Sequence, residues 1–115
     1  MKPVVRRGDI VWCDFGAAVH QPIQKIRPGL IIQNDMGNRY STKTILAAIR
    51  KDTGKALPVQ AKIPKGVGGL TKDSVVDCGV VITVSKDALG DPIGRLPSGY
   101  LQAVDKAIAV SLGLR

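Results

Sequence analysis

The stretch KIRPGLIIQND, residues 25–35, sets an arginine and a proline at the mouth of an apolar run that ends in an amide and a carboxylate. A guanidinium stays charged at every physiological pH and is costly to bury without a partner. Arg27 must therefore meet water, an acid such as Asp14 or Asp35, or an anion that arrives from outside. Pro28 fixes its own φ and restricts the backbone of the arginine before it, so the charge sits on a stiff stem.

The overall charge points to anions. Seventeen Lys and Arg against nine Asp and Glu leave a formal net charge of +8, with a sequence pI near 9.9. Such an excess attracts polyanions through phosphate neutralisation and counterion release. An acidic protein partner would use the same field, and a basic surface with no partner would look alike in composition.

The 115 residues suit a single domain, 1–115, with one modest core. Apolar residues make up 44% and no low-complexity segment interrupts them, which argues against disorder. No apolar run approaches the ~18 residues of a spanning helix. The start, MKPVVRRGDIVW, lacks a long apolar stretch and a small-residue cleavage site, so it reads as a folded start and not as a signal peptide. Cys13 and Cys78 show neither metal spacing nor a disulfide framework. They read as two buried, reduced thiols, which predicts a cytoplasmic protein. Nothing in the chain calls for a cofactor or a metal.

These residues need elements to hold them. Residues 10–15, IVWCDF, form a strand by composition, with Val11, Cys13 and Phe15 on one face and Ile10, Trp12 and Asp14 on the other. A loop of about a dozen residues follows, long enough to be functional or mobile. GLIIQ is a continuous apolar strand, NDMGNRYSTK a polar connection, and TILAAI a third strand whose alanines leave helix open. LPVQAKI alternates, and Pro58 marks it as an edge or a strand start. SVVDCGVVITV is two short strands or one bent at Gly79, and SKDALGDPIGR is a connection. At the end Ser98 can cap a helix carrying Leu101, Val104, Ile108 and Leu112 at helical spacing, with Gly113 as its stop. Short strands followed by one amphipathic helix predict a small, strongly curved sheet or barrel covered on one side by that helix.

The order RGDIVWCDF, loop, KIRPGLIIQND, NRYSTKTILAAI, then LP, GGLTKDSVV and AVDKAIAVSLGL resembles the MazF/PemK family of toxin endoribonucleases over nearly the whole chain. The resemblance implies a mainly β, SH3-like small barrel with a C-terminal helix. It also implies a homodimer that cuts single-stranded RNA at short sequences without a metal, by attack of the ribose 2′-hydroxyl on the adjacent phosphate. An antitoxin, usually acidic, is the implied protein partner. In this setting Arg27 has a function, because a guanidinium offers a fixed fork of donors to the phosphate oxygens on which charge develops. Its rival role is an ion pair at a sheet edge.

The chain departs from the family pattern at the second catalytic position. Thr or Ser usually follows the third strand, whereas AAIRKDT puts Arg50 there and Thr53 three residues later. Either Arg50 stabilises the phosphate, or Thr53 swings in, or catalysis is weak. The first loop carries HQPIQK in place of a Ser-Glu-Gln-Gly-Gly-like run, and Val80 stands where several members have Gln. Lys25 before Arg-Pro occurs in the PemK-like branch.

Candidate RNA contacts are His20, Gln21 and Lys25 around that loop, Asn34, Asn38 and Arg39 in the polar connection, and Lys65 beside the Gly-rich loop, with Lys72 on its other flank. His20 is the chain's one imidazole, and histidine as a residue type titrates in the range an RNase needs, although a lone loop histidine is also simply exposed. Trp12 can stack a base or fill an interface. With aromatics at 3% a broad stacking platform is absent. Two other functions use the same features: a non-enzymatic toxin of the CcdB kind that binds a protein target, and an RNA-binding homologue with a decayed site.

Overall fold

The computed structural model describes residues 4–18 and 25–114. Six strands are present, β1 (Asp9–Asp14), β2 (Ile26–Ile31), β3 (Lys43–Lys51), β4 (Gln60–Ile63), β5 (Ser74–Ser85) and β6 (Leu89–Arg95). Three α-helical segments join them, α1 (Phe15–Ala18), α2 (Asp35–Tyr40) and α3 (Ser98–Leu112). All the strands lie in one antiparallel sheet, in the order β4-β5-β3-β2-β1-β6. The expected barrel is corrected in one respect: β4 and β6 are the two edges, and the sheet is open.

Period-two alternation divides the core between the two faces of the sheet. One face carries Ile10, Leu30, Ala47, Ile49, Val76 and Cys78, with Val104 and Ala107 of α3 packed in the same cluster. The other carries Val11, Cys13, Phe15, Ile31, Leu46 and Ala48. The expected placement of Val11, Cys13 and Phe15 opposite Ile10 is observed. Gly29 makes the second face possible, since a Cβ there would lie 2.8 Å from Leu46 Cδ2 and 3.2 Å from Phe15 Cζ.

β5 is one strand broken by a bulge. Asp77 pairs with Ala48 and Val81 with Ala47, so Cys78, Gly79 and Val80 have no partner on β3. Both cysteines are buried and free. Burial pushes their thiols up, Cys13 further raised by the Asp14 charge, and Cys78 to about 11.

Besides α1, which takes Phe15 from the expected strand and the start of the expected loop, three elements differ from their sequence reading. The polar connection contains α2, where Asn34 caps the helix by accepting a 2.8 Å bond from the Gly37 N–H. SKDALGDPIGR contains β6, an edge strand that tolerates Pro92. In α3 the capping position is Pro97 and Ser98 is already helical. Gly113 ends that helix at φ 70°, as expected of a glycine. No helix among the described residues is long and apolar enough to cross a membrane.

Candidate active site at the mouth of β2

Arg27 lies at the start of β2 opposite Cys13 of β1. On its other side the β2–β3 ladder pairs Gly29 with Ala48, and continuing that register by two residues sets Arg27 opposite Arg50. Cross-strand partners share a face, so both arginines rise from the side of the sheet that carries Phe15 and Ala48.

The two arginines line two clefts in common. A cleft of about 200 Å³ is formed by Phe15, Lys25, Arg27, Ala48, Arg50 and Val80. A second, of about 240 Å³, includes Trp12, Arg27, Ile49, Arg50, Leu70 and Lys72. Phe15 and Ala48 belong to one core face, while Ile49 and Leu70 belong to the other. The clefts therefore approach from opposite faces and meet at the Arg27–Arg50 pair.

Arg27 is exposed, and among the described residues no carboxylate comes within ion-pair distance of it. The two acids that could have held it are placed otherwise. Asp14 accepts backbone N–H bonds from Gly16 and Lys25 at 3.0 and 3.1 Å. Asp35 sits beyond the far end of β2, where the Arg7 backbone N–H and the Asn38 amide hold its carboxyl below the usual range. Arg50 is tied differently. Its Nη1 donates a 2.9 Å bond to Asp77 Oδ2, with the arginine side chain 53% exposed and the aspartate 7%.

Thr53 lines a separate cleft of about 320 Å³ with Arg50, Lys55, Leu57 and Gln60. Arg27 is not part of that cleft. The structure thus brings Arg27, Arg50, Lys25 and Trp12 together and sets Thr53 to one side. Trp12 is 42% exposed at the second cleft.

The other expected contacts lie elsewhere. Asn34, Asn38 and Arg39 are on or beside α2, at the opposite end of β2, whose six residues span roughly 17–20 Å. Asn38 is 3% exposed and its side chain is spent internally. Its Oδ1 accepts from Thr44 Oγ1 at 2.7 Å and Gln33 Nε2 at 3.0 Å, and its carbonyl accepts from the buried Lys86 ammonium. Arg39 stacks on the Tyr40 ring at 5.3 Å. Both help line a separate cavity of about 610 Å³, which contains neither Arg27 nor Arg50. Lys65 is exposed on a turn, its backbone N–H bonded to Asp73 Oδ1 at 2.8 Å, and lines neither shared cleft. His20 and Gln21 lie outside the described residues.

Sequence reasoning missed Asp77. The signal was available: an acid within the apolar run SVVDCGVV is costly to bury unless a cation meets it. The diagonal position of Arg50 across the ladder could not be read without knowing where β5 bulges.

Residues 6–112 match the family model of the PemK-like, MazF-like toxin of type II toxin-antitoxin systems. The chain belongs to this family. It is 38% identical over 112 residues to endoribonuclease EndoA of Bacillus subtilis (strain 168), covering 96% of this chain and 97% of that protein. Among solved structures, Mycobacterium tuberculosis toxin MazF-mt6 is similar, with TM-score 0.78 and 26% identity over 93% of this chain and 98% of that one. A mycobacterial endoribonuclease in complex with its cognate antitoxin matches at TM-score 0.81 over 96% and 97% of the two chains. At 24% identity that likeness speaks for the shared MazF/PemK fold alone.

Proposed function

We propose that this chain is the toxin endoribonuclease of a type II toxin–antitoxin system and that it cuts single-stranded RNA without a metal at the Arg27–Arg50 pair. The observation that carries this reading is the convergence of two guanidinium-bearing strand ends on shared clefts, in a chain 38% identical to a named endoribonuclease.

In the proposed step the ribose 2′-oxygen forms a bond to the adjacent phosphorus and the bond from phosphorus to the 5′-oxygen breaks. The products are a 2′,3′-cyclic phosphate and a 5′-hydroxyl. The pentacoordinate phosphate carries more charge on its non-bridging oxygens than the ground state does. Donors held in place beforehand therefore favour the transition state selectively. Arg27 and the free N–H groups of Arg50 supply those donors, and Lys25 adds charge on the same side. The proton leaving the 2′-hydroxyl needs an acceptor and the departing 5′-oxygen needs a donor; an imidazole is the side-chain type suited to both, and His20 is the chain's one histidine.

RNA on either side of the scissile phosphate would occupy the two clefts, with a base against Trp12 and the backbone along Lys72. Partners of this reading are an acidic antitoxin, favoured by the +8 charge, and a second copy of the chain in a homodimer. The reading places the protein in the cytoplasm, with mRNA as substrate.

A second reading, RNA binding with little cleavage, is favoured by the tie of Arg50 to Asp77, which offsets part of the positive charge at the site. Incubating the purified protein with end-labelled single-stranded RNA in EDTA separates the two. Fragments ending in a cyclic phosphate support the nuclease, and retarded but intact RNA supports the binder.

A further inference from the structure

We infer that Asp77 is a positioning residue for cleavage, holding the Arg50 guanidinium at the angle from which its remaining N–H groups reach the scissile phosphate. This rests on the reading of Arg27 and Arg50 as the pair that stabilises the reacting phosphate.

Asp77 occupies the last paired position of β5 before the bulge, opposite Ala48 and diagonal to Arg50. Diagonal neighbours in a sheet are within reach of long side chains. Its carboxylate is held from both sides. Oδ1 accepts the Gly79 N–H at 2.9 Å, and Oδ2 accepts Arg50 Nη1 at 2.9 Å. Gly79 permits that approach, because a Cβ there would lie 3.1 Å from Oδ1. Bulge, glycine and carboxylate form one rigid anchor. The tip it anchors belongs to a side chain that is more than half exposed and otherwise free to choose among rotamers.

A guanidinium has five N–H donors in a fixed plane. One of them, at Nη1, goes to Asp77, which sets the plane and leaves the others for an incoming phosphate. Pre-set donors act on the transition state without reorganising at the moment of reaction. The anchor has an electrostatic cost: a carboxylate beside the site weakens its pull on RNA. Asp77 therefore acts on rate and affinity in opposite directions. Substituting a residue that only holds the fold would lower both.

The test is single-turnover cleavage and equilibrium binding of a labelled single-stranded RNA in EDTA. It uses the parent, Asp77→Asn, Arg50→Ala and the double variant, with thermal melting as a folding control. Asp77→Asn should cut between ~10- and ~100-fold more slowly, the scale of misplacing a group at the reacting centre, and bind RNA as tightly as the parent or more so. In the Arg50→Ala background it should slow cleavage no further. If Asp77→Asn does not fold, Gly79→Ala, which keeps both charges but crowds Oδ1, should slow cleavage at parental affinity. Parental cleavage by the folded Asp77→Asn variant, or a loss that multiplies with that of Arg50→Ala, overturns this role while leaving the nuclease reading standing. In the fallback, parental cleavage by Gly79→Ala does the same. A parent that cuts no RNA overturns the nuclease reading and the role with it.

Discussion

Arg27 and Arg50 both line each of the clefts that meet at the strand ends, and the β2–β3 register, extended two residues past its last pair, sets them opposite one another. The two are not equivalent. Arg27 is exposed with no described carboxylate at ion-pair distance, whereas Arg50 is tethered to the buried Asp77. One is an open charge on a strand stiffened by Pro28, and the other is an oriented fork.

Thr53 lines a cleft that does not include Arg27, so the proposed reading gives the position usually filled by Thr or Ser to Arg50. Arg50→Ala should lower the single-turnover cleavage rate by ~100-fold, the scale of losing one preorganised donor. Thr53→Val keeps the shape, deletes the hydroxyl, and should cut at close to the parental rate. Arg50→Thr should be tolerated better than alanine. A large loss in Thr53→Val with little in Arg50→Ala would reverse the assignment.

RNA affinity should depend steeply on salt. Lys25, Arg27 and Arg50 line one cleft, and Lys51 and Lys72 join the two arginines in the other. Each phosphate neutralised contributes a slope of about −0.7 in a plot of log affinity against log salt for single strands. Titrations with labelled RNA at several salt concentrations check this. Lys72→Ala should make the slope shallower by about one such increment, while Lys65→Ala, away from both clefts, should not change it.

The far end of β2 yields a prediction about stability. The Arg7 backbone N–H bonds Asp35 at 2.7 Å, and with the Asn38 amide it holds the carboxyl below its ordinary value of 3.8. A lowered folded-state pKa adds stability that is present above the unfolded value and lost as pH falls through the folded one. Asp35→Asn should therefore melt at a lower temperature than the parent near pH 7. The gap should close once the pH falls below the ordinary carboxylate range. Thermal melts across that range check it, and a gap independent of pH would contradict it.

Much of the fold was legible because its signals were local. The alternation in IVWCDF sent Val11, Cys13 and Phe15 to one face, and Gly113 stopped α3 where a positive φ was needed. β6 was missed because LGDPIGR has one β-branched residue and owes its strand conformation to pairing with β1. α2 was missed because six mainly polar residues carry no helical period; their order comes from the Asn34 cap and the buried Asn38 beneath. At the site, Arg27 was visible as a charge at a strand mouth. Its place beside Arg50 at the shared clefts was not, since register is a property of two strands. Asn38 was placed on the wrong side of the surface for a related reason: an amide in a polar stretch looks like a contact residue until its partners, Gln33, Thr44 and Lys86, are seen.

The most direct test of the central claim is the single-turnover cleavage rate of the Arg27→Ala variant in EDTA, with the product ends identified. Arg27 holds up no described neighbour through an ion pair, so its removal should leave the melting temperature nearly unchanged. The account predicts that the parent leaves a 2′,3′-cyclic phosphate and a 5′-hydroxyl, and that Arg27→Ala cuts ~100-fold more slowly or worse. A folded Arg27→Ala protein that cuts the same RNA at the parental rate would contradict it, and would leave that arginine a solvated charge at the end of a strand.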